Sequence, residues 1–346
     1  MRSVLILAHC TGRKPLHSSS QRVFCHPYHA VPSAPRWGMD HGRVVSMGSF
    51  DGVHAGHAEL LREVTAQAKR RSLPRLLLAF IPPCTPDDSH CPAPIRRQLL
   101  LPLQVRLALL RRHADEVHRE TVDSVRTLTP DRFARDVLVR RLRTRVVVEG
   151  ESFRFGHGRS GDMETMRSLG EELGFDVISI PPVHTDGEPV SSTRIRRAIE
   201  QGDLRLARRC LARPYALFGV VVRGDQLGTQ IGYPTANLAV DPLVLLPPHG
   251  VYAVHAWAFG RPFDGLLYLG RRPTLGENDL RCEVHLLEPP PQPLYGQHLE
   301  AHLLESIRAD RAFSSVAELQ EKIQLDIDLA RRILNQHPRE PEPILG

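Results

Sequence analysis

Residues 48–57 read Gly-Ser-Phe-Asp-Gly-Val-His-Ala-Gly-His, and they follow an apolar run that ends at Met47. An amphipathic segment begins near Glu59, so the pattern predicts a strand, a glycine-containing loop and a helix. The apolar face of this predicted helix carries Leu60, Leu61, Val64 and Ala68. Because the first turn of a helix presents free backbone N–H groups and the positive end of its dipole, we expect an anionic phosphate to bind at this loop.

Two histidines of this loop, His54 and His57, lie three residues apart, so on the opening turn of a helix they share a face. No Lys-Ser/Thr pair follows, which excludes a P-loop, and the glycine spacing is not that of a dinucleotide-binding loop. Glycines let the backbone approach an anion closely. Two imidazoles at a phosphate site suit stabilisation of charge on a transferred phosphoryl or nucleotidyl group. The alternative is an ordinary turn with one hydrogen-bonded and one exposed histidine.

The ten residues together resemble the signature of the bifunctional riboflavin kinase/FAD synthetases, whose N-terminal module belongs to the His-x-Gly-His nucleotidyltransferases. The resemblance extends over roughly residues 43–335, with four motifs in the family's order. It implies that His54 and His57 are catalytic and that the surrounding loop binds ATP. The ATP-binding positions implied in the loop are Gly48, Phe50, Gly52 and Gly56.

Segments that are typical of strands and helices alternate between residues 43 and about 190, which predicts a Rossmann-like parallel sheet with ligands at the carboxyl ends of its strands. From Tyr215 onward, period-two segments between Gly- and Pro-rich turns predict a small antiparallel β-barrel. A final helix is predicted to open with a capping box at Ser315 and Glu318. The predicted α/β plus all-β chain has a poorly ordered extension (1–42), an FAD synthetase domain (43–213), a riboflavin kinase domain (214–337) and a frayed tail (338–346).

Composition excludes several classes of protein. Apolar residues make up 41% of the 346 residues and charged residues 24%, which is typical of a globular chain long enough for two domains. The net charge of +6 comes almost entirely from arginines. They are spread over many segments without interleaved aromatics, so we predict no nucleic-acid partner, although an RNA or DNA binder stays an alternative.

The cysteine pattern and the hydropathy predict a cytoplasmic protein. The six cysteines form no C-x-x-C motif and no paired metal-binding spacing, as expected for a reducing compartment. No apolar run approaches 18 residues, and residues 3–8 are too short for a secretory signal, so no membrane association is predicted. Met39 offers an alternative start of translation.

A second motif, Gly150 to Gly156, follows the apolar strand Val146–Val148. A loop after a parallel strand is where nucleotide or acceptor contacts are expected. The resemblance implies that Ser152, Phe153 and Phe155 bind the flavin. The family usually has Asn or Asp at the position of Ser152, and a serine hydroxyl reaches less far.

A third motif, residues 190–196, places adjacent hydroxyls at a helix start and arginines after them. Such a segment can hold a polyphosphate through N–H, O–H and guanidinium donors, or it is only a Ser/Thr helix cap with two solvated arginines. The resemblance implies that Ser192, Thr193 and Arg196 bind the triphosphate of ATP.

The fourth motif, residues 232–238, lies in the predicted barrel. Thr235 and Asn237 alternate along the chain, so both point to one side and can ligate a hard cation such as Mg²⁺; a Pro-Thr turn with an Asn cap is the plainer alternative. The resemblance implies that Glu283 is the catalytic base, that Gly224 and Gly232 contact ATP, and that Arg308 binds flavin. This chain departs from the family at Thr229, where Arg or Lys is usual, and at Tyr268, where Asn is usual.

These observations predict an enzyme that phosphorylates riboflavin with ATP to give FMN and then adenylylates FMN with a second ATP to give FAD. Its predicted partners are riboflavin, FMN, ATP and Mg²⁺, and the oligomeric state stays open. One alternative is an enzyme that retains only one of the two activities. Another is a flavin-binding regulator without catalysis.

Overall fold

A five-stranded sheet forms the centre of the N-terminal half. In this computed structural model the described residues are 42–81, 98–224, 227–271, 280–340 and 342–345, and the predicted N-terminal extension up to residue 41 lies outside them. The strand order is β3-β2-β1-β4-β5 and every neighbouring pair is parallel. The strands are β1 (Arg43–Gly48), β2 (Arg75–Ile81), β3 (Glu116–Thr121), β4 (Thr144–Gly150) and β5 (Asp176–Ile180). The Rossmann-like prediction is therefore confirmed, and the order reverses between β1 and β4, where such sheets bind ligands.

Helices cover both faces of this sheet. Val44 and Val45 of β1 enter different apolar clusters, because successive side chains of a strand point to opposite faces. One cluster contains residues of α1 and α2, and the other contains Phe133 and Met166. The helices are α1 (Ala55–Arg71), α2 (Leu103–Arg111), the short α3 (Val122–Val125), α4 (Pro130–Arg132), which continues as a π-helix (Phe133–Arg141), and α5 (Met163–Leu173).

A small hairpin and two helices connect the sheet to the barrel. The hairpin pairs β6 (His184–Thr185) with β7 (Glu188–Pro189), and α6 (Ser192–Glu200) and α7 (Leu204–Leu211) follow. Apolar residues of α6 and α7, such as Ile195 and Ala207, belong to the same buried cluster as barrel residues such as Leu267. The apolar core therefore continues across the predicted boundary near residue 213.

The C-terminal half is a closed antiparallel barrel, as predicted. Its strands pair in the order β10-β11-β12-β9-β8-β13, with β13 closing on β10. The last helix, α9, begins after Ser315, whose side chain accepts from the Glu318 N–H at 3.2 Å. The elements are β8 (Tyr215–Val222), α8 (Leu227–Gln230), β9 (Ala236–Val240), β10 (Gly250–Ala258), β11 (Arg261–Arg271), β12 (Leu280–Leu286), β13 (His298–Ala309) and α9 (Val316–Gln336).

The prediction of a frayed tail is wrong for residues 342–345. Ile344 is buried in the cluster that contains Phe218 of the barrel and Leu61 of α1. The backbone N–H groups of Ile344 and Leu345 each donate to the carboxylate of Glu300 at 2.8 Å. The buried carboxylate needs donors, and the tail supplies them.

Candidate active sites

The glycine-containing loop lies at the carboxyl end of β1 and ends at a capping box formed by two histidines. Nδ1 of His54 accepts from the His57 N–H, and Nδ1 of His57 accepts from the His54 N–H, both at 3.3 Å. The rings stack with their centroids 3.7 Å apart and their planes 17° apart. The predicted shared face is confirmed, and neither histidine is exposed. Because Nδ1 accepts in each ring, the neutral rings carry their proton on Nε2, where it can be donated to a ligand.

Burial and positive charge keep both imidazoles neutral. Burial lowers the pKa of His54 to about 4, and the nearby Arg213 and Arg196 act in the same direction. The pKa of His57 lies well below its ordinary value because of burial, His54, Arg106 and Arg213. At neutral pH the pair can therefore donate hydrogen bonds to an anion without acting as a proton source.

Side chains from distant elements bind the carbonyl groups of the loop. Arg106 of α2 donates to the Ser49 carbonyl at 2.8 Å. Arg213 donates to the carbonyls of Gly52 and Val53, the latter at 3.1 Å. Val53 adopts φ +40°, which is a strained conformation for a β-branched residue. These contacts hold the loop in one conformation and satisfy the carbonyl groups of Ser49, Gly52 and Val53.

The third motif lies against the same loop. Ser192 at the start of α6 donates from Oγ to the Asp51 carbonyl at 2.8 Å. Arg196 forms a salt bridge with the buried carboxylate of Asp51 and donates from Nε to the Gln98 carbonyl at 2.8 Å. Thr193 is exposed at the helix start, and Ser191 is the N-cap. The structure thus brings together two motifs 140 residues apart, and Arg196 is not a solvated arginine.

The second motif follows β4, on the other side of the point where the strand order reverses. Ser152 is exposed, whereas Phe155 is buried in the cluster on one face of the sheet. The rings of Phe153 and Phe155 stack with centroids 5.9 Å apart. Ser152 and Phe153 therefore follow the carboxyl end of β4, where a bound ligand can contact them. Phe155 packs against Phe153 from the side of the buried cluster.

The barrel contains a second site, a cavity of about 290 Å³. Thr235 donates from Oγ1 to Oε2 of Glu283 at 3.0 Å, and Arg281 donates to Oε1 of the same carboxylate at 3.2 Å. Asn237 lies directly opposite Glu283 in the β9–β12 pairing. Arg308 also lines the cavity and pairs with the buried Asp326 at 2.7 Å. The four predicted barrel residues therefore share one site.

Two predicted glycines lie close in the chain or in space to these residues. A Cβ at Gly224 would clash with the side chain of Asn237, which glycine avoids. Gly232 adopts φ +88°, which glycine tolerates without strain, in the turn before Tyr233, a residue that lines the cavity. Gly224 thus lies against Asn237, and Gly232 precedes the cavity-lining Tyr233 and Thr235 in the chain.

The family models match both halves of the chain. The riboflavin kinase model matches residues 211–334 and the FAD synthetase model matches residues 38–194. The bifunctional riboflavin kinase/FMN adenylyltransferase of Escherichia coli strain K12 is 36% identical over 310 residues, which cover 88% of this chain and 95% of that protein. The chain belongs to the bifunctional riboflavin kinase/FMN adenylyltransferase family.

A further curated relative supports this assignment, and a solved structure shares the fold. The family member from Haemophilus influenzae is 32% identical over 308 residues, covering 85% of this chain and 95% of that protein. A solved Streptococcus pneumoniae structure, described as a macrolide-efflux protein, superimposes with a TM-score of 0.74 at 28% identity and covers 85% of this chain and 95% of that one. Across the part of the present chain that the structure describes, no helix is long and apolar enough to cross a membrane.

The oxygen atoms near Glu283 suit the magnesium ion that the kinase half of the family implies. Thr235 and Asn237 offer a hydroxyl and an amide oxygen, and Mg²⁺ prefers such hard oxygen ligands together with water and phosphate. Among the described residues no group of three His, Cys, Asp or Glu side chains can hold a metal ion. The donors present therefore fit an ion that is bound jointly with a nucleotide phosphate.

Sequence reasoning missed several residues that the structure places at these sites. At the histidine loop they are the buried Asp51 and Arg106 and the half-buried Arg213. Asp51 lies within the motif of residues 48–57. Arg106 lies on the apolar face of α2, and an arginine among apolar residues is a signal that the sequence itself carries. Arg213 stood at the predicted domain boundary and gave no local signal.

Proposed function

We propose that this chain makes FAD from riboflavin in two steps at the two sites. The barrel phosphorylates riboflavin with ATP to FMN, and the N-terminal half transfers AMP from a second ATP to the FMN phosphate and releases pyrophosphate. The observation that carries the proposal is that one chain holds both the paired histidine loop with Arg196 and the pocket with Thr235 and Glu283.

In the barrel, Glu283 accepts the proton of the ribityl 5′-hydroxyl as the hydroxyl oxygen attacks the γ-phosphorus of ATP. The bond between the γ-phosphorus and its bridging oxygen breaks, and the electron pair leaves with ADP. Thr235 and Arg281 hold the carboxylate in place through its two oxygens. Thr235 and Asn237 would hold a Mg²⁺ ion, which would neutralise charge on the polyphosphate. In this proposal Gly224 and Gly232 leave room for the polyphosphate, and Arg308, which lines the cavity, contacts the flavin.

In the N-terminal half, an oxygen of the FMN phosphate attacks the α-phosphorus of ATP. The bond between the α-phosphorus and the bridging oxygen breaks as the new one forms, and the electron pair leaves with pyrophosphate. The Nε2–H groups of His54 and His57 donate to the charged oxygens of the transition state, so no covalent enzyme intermediate is needed. Ser192, Thr193 and Arg196 bind the triphosphate at the start of α6.

The loop after β4 contacts the flavin of FMN in this proposal. Phe153 presents an aromatic surface that is held in place by stacking on Phe155. Ser152 offers a hydroxyl at the exposed rim. Because the usual Asn or Asp is absent there, we expect a weaker affinity for FMN than an amide or carboxylate at that position would provide.

Chromatography of a reaction with riboflavin, ATP and Mg²⁺ tests the proposal. We expect FMN to accumulate first and FAD to follow. A product mixture that stops at FMN would show that only the kinase half is active, and FAD formed only from added FMN would show the reverse. Riboflavin binding without ATP consumption would instead support a regulator, and steeply salt-dependent RNA or DNA binding without flavin binding would support a nucleic-acid binder.

A further inference from the structure

Arg106 of α2 is a buried cation that lacks a full set of partners. The residue is 1% exposed, and its Nη1 donates to the Ser49 carbonyl at 2.8 Å. Its Nε and Nη2 are buried and have no hydrogen-bond partner among the described residues. A buried guanidinium is expensive to keep unless hydrogen bonds or negative charge compensate it. Arg106 nevertheless lies beside the histidine loop, where it contacts Ser49.

The positive charge around the loop exceeds the negative charge. Arg106, Arg196 and Arg213 all lie close enough to the two histidines or to each other to act on them electrostatically. Among the described residues, the only carboxylate hydrogen-bonded to this group is that of Asp51, which pairs with Arg196 and accepts from the Leu100 N–H at 3.0 Å. Asp51 also acts electrostatically on Arg106. Within the same part of the chain neither Arg106 nor Arg213 forms an ion pair of its own, and the hydrogen bonds of Arg213 go to carbonyl groups.

We propose that Arg106 is a positioning residue for the polyphosphate of ATP in adenylyl transfer. It holds the carbonyl of Ser49 on the protein side of the loop, and the negative charge of a bound triphosphate compensates its buried guanidinium. This inference rests on the proposed function of the N-terminal half. The proposal adds a residue on α2, a helix that carries none of the three motifs of the N-terminal half (residues 48–57, 150–156 and 190–196).

The shape of the side chain explains why an arginine stands at this position. The planar guanidinium can donate to Ser49 with one nitrogen while its other N–H groups stay directed elsewhere. A lysine keeps the charge, but its compact ammonium group lacks the planar set of N–H donors that a guanidinium spreads over three nitrogens. Replacement by lysine should therefore retain part of the function, and replacement by glutamine should retain little.

Steady-state kinetics of FMN conversion to FAD, at saturating FMN and varied ATP, test this role. The variants are Arg106→Gln, Arg106→Lys and the control Arg111→Gln, which changes an exposed arginine on the same helix. We expect Arg106→Gln to lower kcat/KM for ATP by about 100-fold, mostly through KM, because the lost charge stabilises bound ATP in the ground state and the transition state alike. Arg106→Lys should lie within about tenfold of the unsubstituted protein, and Arg111→Gln should match it.

FMN formation by the barrel is measured on the same preparations. Unchanged FMN formation together with a raised KM for ATP in FAD formation supports the proposal, because general loss of folding would lower both activities. A kcat/KM for ATP within twofold in Arg106→Gln overturns it, as does equal loss of both activities in Arg106→Gln and Arg106→Lys. If Arg106→Gln does not fold, Arg106→Lys decides: a KM for ATP raised between about twofold and tenfold supports the proposal, and a KM within twofold overturns it.

The activity of the N-terminal half and the role of Arg106 can be tested separately. If the unsubstituted protein makes no FAD from FMN, the proposed function of the N-terminal half is wrong. If it makes FAD and Arg106→Gln makes it with the same KM for ATP, only the role of Arg106 is wrong.

Discussion

Thr235 donates a hydrogen bond of 3.0 Å to Glu283; Glu283 lies on β12, and Thr235 directly precedes β9, the strand that pairs with β12. The hydroxyl of Thr235 and the guanidinium of Arg281 each bind one carboxylate oxygen. Glu283 is therefore held in one orientation at the cavity wall, with its side chain 19% exposed. A carboxylate fixed in this way is poised to accept a proton from a hydroxyl in the cavity.

Glu283→Gln should abolish FMN formation, because the amide has nearly the same shape as the carboxylate but cannot accept the proton. We expect a loss of about 100-fold or more in kcat, within the range for general bases. FMN added from outside should still be converted to FAD at the normal rate, which chromatography of the products can measure. Loss of both steps would show that the two sites are not assigned correctly.

His57→Ala should have the opposite effect. It removes one imidazole donor and one half of the reciprocal capping bonds to His54. We expect FAD formation to fall by about 100- to 1000-fold, as for loss of a donor to developing charge, while FMN formation stays normal. The exposed His184 on the β6–β7 hairpin is the matched control, and His184→Ala should leave both steps unchanged.

The sequence predicted the elements whose signals are local. The pair His54 and His57 was predicted because three-residue spacing on a helix turn brings side chains together. Strand β3 was missed because it is an edge strand that pairs only with β2, so its residues, such as His118 and Arg119, lack a continuous apolar run. Strand β9 was hidden inside the motif around Thr235, where proline and polar residues are not typical of a strand.

The contacts that complete the sites are long-range and could not be derived from spacing. Arg106 and Ser49 are 57 residues apart, and Arg213 and Gly52 are 161 residues apart. Their contacts depend on how α2 packs against the sheet and how α7, which precedes Arg213, packs against the barrel. The role of Glu283 needed the family resemblance, since a single glutamate within a strand usually faces solvent.

His54 should not titrate between pH 5 and 8 in the free protein. Its pKa is lowered to about 4, because burial and the nearby Arg213 disfavour the charged form. In unfolded chain the same histidine binds its proton near pH 6.5, so the unfolding free energy should decrease as the pH falls from about 6.5 towards 4. NMR of the imidazole signals, assigned by comparison with His54→Gln, measures the pKa directly. A His54 signal with a midpoint near 6.5 would contradict the buried, neutral pair.

The docked tail should contribute to stability. Ile344 packs against residues of both halves of the chain, and Glu300 holds the backbone beside it. Ile344→Ala should lower the unfolding free energy by about 2 kcal/mol or more, as for a buried isoleucine shortened to alanine. The exposed Glu342 is the control, and Glu342→Ala should change the unfolding free energy by less than about 0.5 kcal/mol. Urea unfolding followed by circular dichroism compares the midpoints, and equal midpoints for Ile344→Ala and Glu342→Ala would mean that the tail does not pack in solution.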